Sequence, residues 1–149
     1  MKVEVQYACD KAGVPSSGHF QRWAREVLTG QGRGSGELVI RLVDTAEGAE
    51  LNKTYRGKSG PTNVLSFPFE APAGVPVDHC GDLVICVPVV LREAEEQNKP
   101  TAAHFAHMVV HGTLHLLGLD HRDDSEARTM EALEITLMGR LGYPNPYEN

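Results

Sequence analysis

Residues 111–121 read His-Gly-Thr-Leu-His-Leu-Leu-Gly-Leu-Asp-His, which sets three histidines in the pattern H-x-x-x-H-x-x-G-x-x-H inside an apolar stretch. On a helix, His111 and His115 stand four residues apart on one face, near enough to share an ion. Gly118 is placed to end that helix, because glycine takes the left-handed conformation that closes a helix C-terminus. The chain then turns back and carries His121 towards the other two. Three imidazoles leave one tetrahedral position of a zinc ion open, the pattern of catalytic rather than structural zinc. Such an ion brings the pKa of its bound water to about 7 and polarises phosphoryl or carbonyl oxygens, so hydrolysis is the expected chemistry.

The spacing resembles that of the metzincin proteases, with one difference: the position that carries their general-base glutamate is Gly112 here. A peptidase needs that carboxylate to move a proton from the attacking water to the leaving amine, and glycine can do neither. His104 and His107 lie near the same helical face, and spacing alone does not exclude His107 as a ligand. A straight helix puts His107 more than two turns from the reversal at Gly118, which favours His111, His115 and His121 as the metal set. His107 then stands behind the ligands or forms part of the wall. Asp120 either holds a ligand's second ring nitrogen or caps the turn. His104 and His19 are assigned core or surface positions, and His79 falls in a loop.

The elements that position these groups are readable in outline. Ser16-Ser17 suits the N-cap of a helix through Leu28, with Phe20, Trp23, Ala24 and Val27 on one stripe. Gln31-Gly-Arg-Gly-Ser-Gly is a flexible connector, and Glu37–Asp44 reads as a central strand. Asp44 or Thr45 caps a helix to about Tyr55, followed by the loop Arg56-Gly-Lys-Ser-Gly-Pro-Thr-Asn and a strand Val64–Phe67. Residues 70–80, with Pro72, Gly74 and Pro76, form no regular element. Gly81–Val87 is the next strand, in a long-looped hairpin with the previous one. Pro88 suits the first turn of a helix to Asn98, Pro100-Thr101 punctuates, and the histidine helix runs to Gly118. A final helix from about Ser125 to Leu141 shows Met130, Leu133, Leu137 and Leu141 on one stripe. The class is α+β, with one mixed sheet of about four strands packed by five or so helices.

A chain of 149 residues, 41% of them hydrophobic, is expected to form one domain with a proper core. It shows no signal pattern at its start and no run approaching the ~20 apolar residues of a membrane span, so a cytoplasmic protein is expected. Cys9, Cys80 and Cys86 fit no zinc or disulfide framework and read as buried thiols. The net charge of −6 weighs against nucleic-acid binding, but the charge is unevenly spread. From Asn52 to Phe69 the chain carries Lys53, Arg56 and Lys58 and no acid. Phosphodiester cleavage loads charge onto a phosphate, which a guanidinium forks onto naturally. Arg56 is the candidate for that role, and equally fits a helix-end cation on the surface. Lys58, Thr62, Asn63 and Ser66 could add contacts to an RNA backbone or base.

Taken with Tyr55-Arg-Gly-Lys-Ser-Gly-Pro-Thr-Asn-Val-Leu-Ser-Phe-Pro-Phe and Gly81-Asp-Leu-Val-Ile-Cys, the histidine motif resembles the YbeY family, bacterial zinc-dependent endoribonucleases associated with ribosomal RNA maturation. The two principal segments cover about a fifth of the chain, and the order of elements agrees over nearly all of it. The resemblance implies a single zincin-like domain whose histidine helix lines a metal cleft. It implies one zinc ion held by His111, His115 and His121, and a functionally required Arg56. It further implies a single-strand-specific activity on ribosomal RNA, in maturation of the 3′ end of the small-subunit (16S) RNA and in ribosome quality control, with ribosome-associated proteins as partners. Two alternatives stand beside it: a metal-dependent peptidase or amidase, and a non-enzymatic ribosome assembly factor whose zinc is structural.

Overall fold

The computed structural model describes residues 2–33, 36–69 and 79–148. Four strands and five helices follow one another as β1 (Lys2–Ala8), α1 (Ser17–Gly30), β2 (Glu37–Val43), α2 (Thr45–Arg56), β3 (Val64–Pro68), β4 (His79–Cys86), α3 (Val87–Glu96), α4 (Thr101–Leu116) and α5 (Asp124–Arg140). The sheet order is β1-β2-β4-β3. β1, β2 and β4 run parallel, and β3 pairs antiparallel with β4 along the edge, Val64 opposite Ile85 and Phe67 opposite Asp82. This is the expected α+β class, with β2 central and the β3–β4 pair antiparallel. The middle of the connector, Gly34-Ser35, and residues 70–78 of the stretch expected to be irregular lie outside the described residues, whereas His79 and Cys80, expected in that loop, open β4.

β1 was not anticipated as a strand. Its alternation of Val3, Val5 and Tyr7 is real, but only Val3 is fully buried, because an edge strand covers little of its surface. β2 alternates cleanly, with Leu38, Ile40 and Leu42 turned to one face. These meet Leu83 and Ile85 of β4, the α1 stripe of Phe20, Trp23, Ala24, Val27 and Leu28, and Phe105, Val109 and Leu114 of α4 in the main core. Phe20 packs edge-on against both Trp23 and Phe105, at ring separations of 5.2 and 5.8 Å. Burying each such aromatic contributes about 1.5–3 kcal/mol. The opposite face carries a smaller cluster of Val43, Leu65, Val84, Cys86 and Val89, flanked by Leu51 of α2. Of the three cysteines expected to be buried, Cys80 and Cys86 are, and Cys9 is only partly so.

Capping places the site-bearing ends where sequence chemistry requires. Asp44 accepts from the Glu47 backbone N–H to open α2, and Gly57, at φ 69°, closes it directly after Arg56. In α4 the left-handed Gly118 (φ 97°) completes a double closure: Leu119 N–H donates to Leu114 O, and Gly118 N–H to His115 O.

Gly112 turns out to have a packing role. A Cβ there would stand 2.8 Å from Leu83 Cδ2 and 3.0 Å from Val64 Cγ2. The position after His111 therefore faces the sheet, and the missing carboxylate is a matter of space as well as chemistry. The close approach also lets Ser66 Oγ donate to the Gly112 carbonyl at 3.0 Å, tying the edge strand to α4. Gly112→Ala should lower stability by about 1–3 kcal/mol through overpacking, against the ~1 kcal/mol that alanine's helix propensity favours. Urea denaturation measures this, and an unchanged midpoint would show that β3 and β4 yield freely.

Candidate metal centre

α4 is apolar on nearly every side, so its four histidines are pressed against neighbouring elements. His104 Nε2 lies 3.0 Å from Glu93 of α3, and burial pushes the His104 pKa down despite that carboxylate. One turn on, His107 Nε2 lies 2.5 Å from Oε2 of Glu134 on α5, and His111 Nδ1 lies 3.3 Å from the same oxygen. The other carboxylate oxygen, Oε1, accepts from the Tyr147 hydroxyl at 2.8 Å. Glu134 is only 1% exposed. Burial opposes its ionisation, but the hydrogen bonds from His107 and His111 outweigh it and hold its pKa down at about 2. Burial, with Glu134 close by, raises that of Tyr147.

An ionised carboxylate only accepts, so the His111 proton sits on Nδ1 and the His107 proton on Nε2. With Nδ1 turned to Glu134, Nε2 is the His111 ring nitrogen left to face the other histidines. It faces His115 Nε2 at 3.2 Å. Burial, and then the neighbouring His111 and His121, lower the His115 pKa, which favours the uncharged form of that ring. His121 completes the group from beyond the Gly118 turn, its ring centre 5.2 Å from that of His115 and 5.9 Å from that of His111. One nitrogen from each ring falls within 4.8 Å of the others. Two nitrogens on a tetrahedral zinc with ~2.05 Å bonds stand about 3.3 Å apart, so the His111–His115 spacing fits an ion between them. His107, His111 and Glu134 make a second ligand-like group, but its atoms already satisfy one another by hydrogen bonds.

The cluster opens on a groove of about 690 Å³. One wall is α4, the other is β3, and Tyr55 and Arg56 at the end of α2 close one side. Arg56 is exposed and has no ion pair among the described residues. The loop that follows is pinned: buried Asn52 donates to Gly60 O at 2.7 Å, and Cys86 N–H donates to Asn63 O at 2.9 Å. Thr62 lines the groove. Asn63 and Ser66 line it too, but both side chains are engaged, Asn63 with Glu93 and the Val64 N–H, Ser66 with Gly112. Lys58 is exposed and His107 buried, and both lie outside the lining. Asp120 is the single acid of the lining among the described residues. Its carboxylate accepts from the His121 N–H at 2.8 Å and pairs with Arg122 at 3.0 Å, which is the turn-capping alternative. Asp120 lies 3.9 Å from the His121 ring nitrogen, too far for a direct hydrogen bond.

Glu134 and Tyr147 escaped the sequence reading. The signal for Glu134 was an acid inside the apolar stripe of α5: Met130, Glu134, Leu137 and Met138 are the buried positions, whereas Leu133, assigned to that stripe, is only partly covered.

Fold and groove together define a class: an α+β protein with a three-imidazole, metal-competent cleft beside an edge strand. The family model described as Endoribonuclease YbeY matches residues 5–142, and the chain belongs to that family of endoribonucleases. Its fold is similar to the solution structure of TM1509 from Thermotoga maritima, with 22% identity, a TM-score of 0.59 and 99% of each chain covered.

The Glu134 contact generates a measurable expectation. Glu134→Gln should weaken zinc binding about 10–100-fold, because the amide no longer enforces the His111 proton on Nδ1. Competition with a chromophoric chelator reads this directly, and wild-type affinity in the variant would show that the carboxylate does not bear on the metal set.

Proposed function

We propose that this protein is a single-strand-specific, metal-dependent endoribonuclease acting in ribosomal RNA processing, with His111, His115 and His121 holding one zinc ion and Arg56 contacting the scissile phosphate. The observation that carries the reading is that one groove holds both the three-imidazole cluster and an unpaired guanidinium. A zinc ion bound there supplies Lewis-acid polarisation of the groups placed against it. Arg56 presents forked N–H donors to non-bridging phosphate oxygens and offsets the charge they gain as the P–O bond breaks. Thr62 adds a neutral hydroxyl. Glu134 keeps His111 in the tautomer whose Nε2 is free to bind.

Family membership supports RNA as the substrate. The finer assignments, 3′-end maturation of small-subunit ribosomal RNA, ribosome quality control, ribosome-associated partners and a cytoplasmic site of action, extend that membership. So does the view that the whole chain forms one domain serving one activity. Among the described residues no helix is long and apolar enough to cross a membrane. A peptidase reading is disfavoured because Gly112 packs against Leu83 and Val64, leaving no room for a general base at that position.

His111→Ala and Arg56→Ala should each lower cleavage of single-stranded RNA by about 10²–10³-fold or more, the arginine variant still binding zinc at wild-type stoichiometry. Cleavage assays paired with metal analysis check this. Undiminished cleavage by rigorously repurified, metal-stripped protein would sink the proposal.

A further inference from the structure

The outer face of the sheet is only partly covered. Its register lines up Gln6, Arg41 and Val84 in one rung and Val39, Asp82 and Phe67 in the next. Between these rungs and α2 lies a second groove of about 550 Å³, with Val39, Leu51 and Val84 among its apolar lining. Tyr55 forms its rim at 64% exposure, edge-on to Phe67 with ring centres 4.8 Å apart. Phe69 follows two residues later, so it falls on the same side of the chain, and it too is exposed.

The charges in this groove do not suit a phosphate. Arg41 is spoken for, its Nε and Nη2 bonded to Glu47 at 2.6 and 3.0 Å and its Nη1 to Gln6 at 3.1 Å. Asp82, half-exposed and 3.4 Å from His79, adds a carboxylate. What the groove offers is an aromatic wall and aliphatic surface with polar groups at the edges, the complement of a flat ring with hydrogen-bonding edges. Tyr55 and Phe67 also line the histidine groove, and Arg56 is the next residue along α2. A strand whose phosphate meets Arg56 therefore passes this aromatic rim.

We infer that the groove between α2 and the outer sheet face receives an unpaired nucleobase flanking the scissile phosphate, stacked on Tyr55. Stacking of this kind tolerates any base identity, since every base has a π-face, and it requires an unpaired strand. The inference rests on the endoribonuclease reading and names where that substrate's base goes.

The test is steady-state kinetics of the zinc-loaded protein on single-stranded RNA oligonucleotides, intact or carrying one abasic nucleotide at each position in turn. With wild-type protein, one abasic position beside the cleavage site should raise KM about tenfold. Tyr55→Ala should raise KM on intact RNA by a similar factor, leave kcat within about twofold, and lose its sensitivity to that abasic position. Tyr55→Phe and Tyr55→Trp should keep wild-type KM. Three results would each overturn the inference: no abasic-sensitive position in the wild type, an unchanged KM in Tyr55→Ala, or equal damage from Tyr55→Phe. The abasic scan of the wild type stands whether or not the alanine variant folds. If the wild type cleaves RNA and these effects are absent, the stacking site alone is wrong; if it cleaves no RNA, the endoribonuclease reading fails and takes the stacking site with it.

Discussion

Most of this molecule follows from burying a helix that carries four histidines. α4 is enclosed by the sheet, α1, α3 and α5, and a buried polar group without a partner costs about 1–3 kcal/mol. The neighbours therefore bring carboxylates to it: Glu93 from α3 for His104, and Glu134 from α5 for His107 and His111. Of the four histidines only His111 and His115, towards the C-terminal end, are partly exposed, and there they lean on each other at the groove. The arrangement is graded along one helix, from histidines with one ring nitrogen held by a carboxylate to histidines available to an ion.

The second wall of the groove is held as firmly as the first. β3 is an edge strand, yet Ser66 fastens it to α4, and the loop before it is anchored through Asn52 and Asn63. The residues doing this work lie in the acid-free stretch whose sequence suggested direct contact with RNA. Asn63 and Ser66 in that stretch also shape the groove through these bonds, while Arg56 and Thr62 line it with fewer commitments. The net negative charge of the chain is thus not concentrated here: among the described residues Asp120 is the one acid in the lining, and it is paired with Arg122.

How much of this the sequence disclosed depends on the range of the interactions. The His111–His115 spacing, the Gly118 reversal and the Asp44 cap are encoded within four or five residues and were legible. The clean alternation of β2 was legible because both neighbours bury it. β1 was missed because an edge position blurs the same alternation. Glu134 pairs with residues 27 and 23 positions away, and Ser66 with one 46 away, so their partners emerge only when the chain has folded. Gly112 was correctly read as lacking a base, while the strand pressed against it could not be foreseen.

That contact at Gly112 separates two chemistries by more than a residue. Where a histidine pair on a helix is followed by open space, a single codon change can install a carboxylate and give selection something to improve. Here the side chains of Leu83 and Val64 occupy that space, so a side chain at position 112 would have to arrive together with a rearrangement of theirs. Because Val64 also lines the histidine groove, that rearrangement reaches the groove itself. A carboxylate beside His111 would therefore disturb the wall opposite the very histidines it was meant to serve.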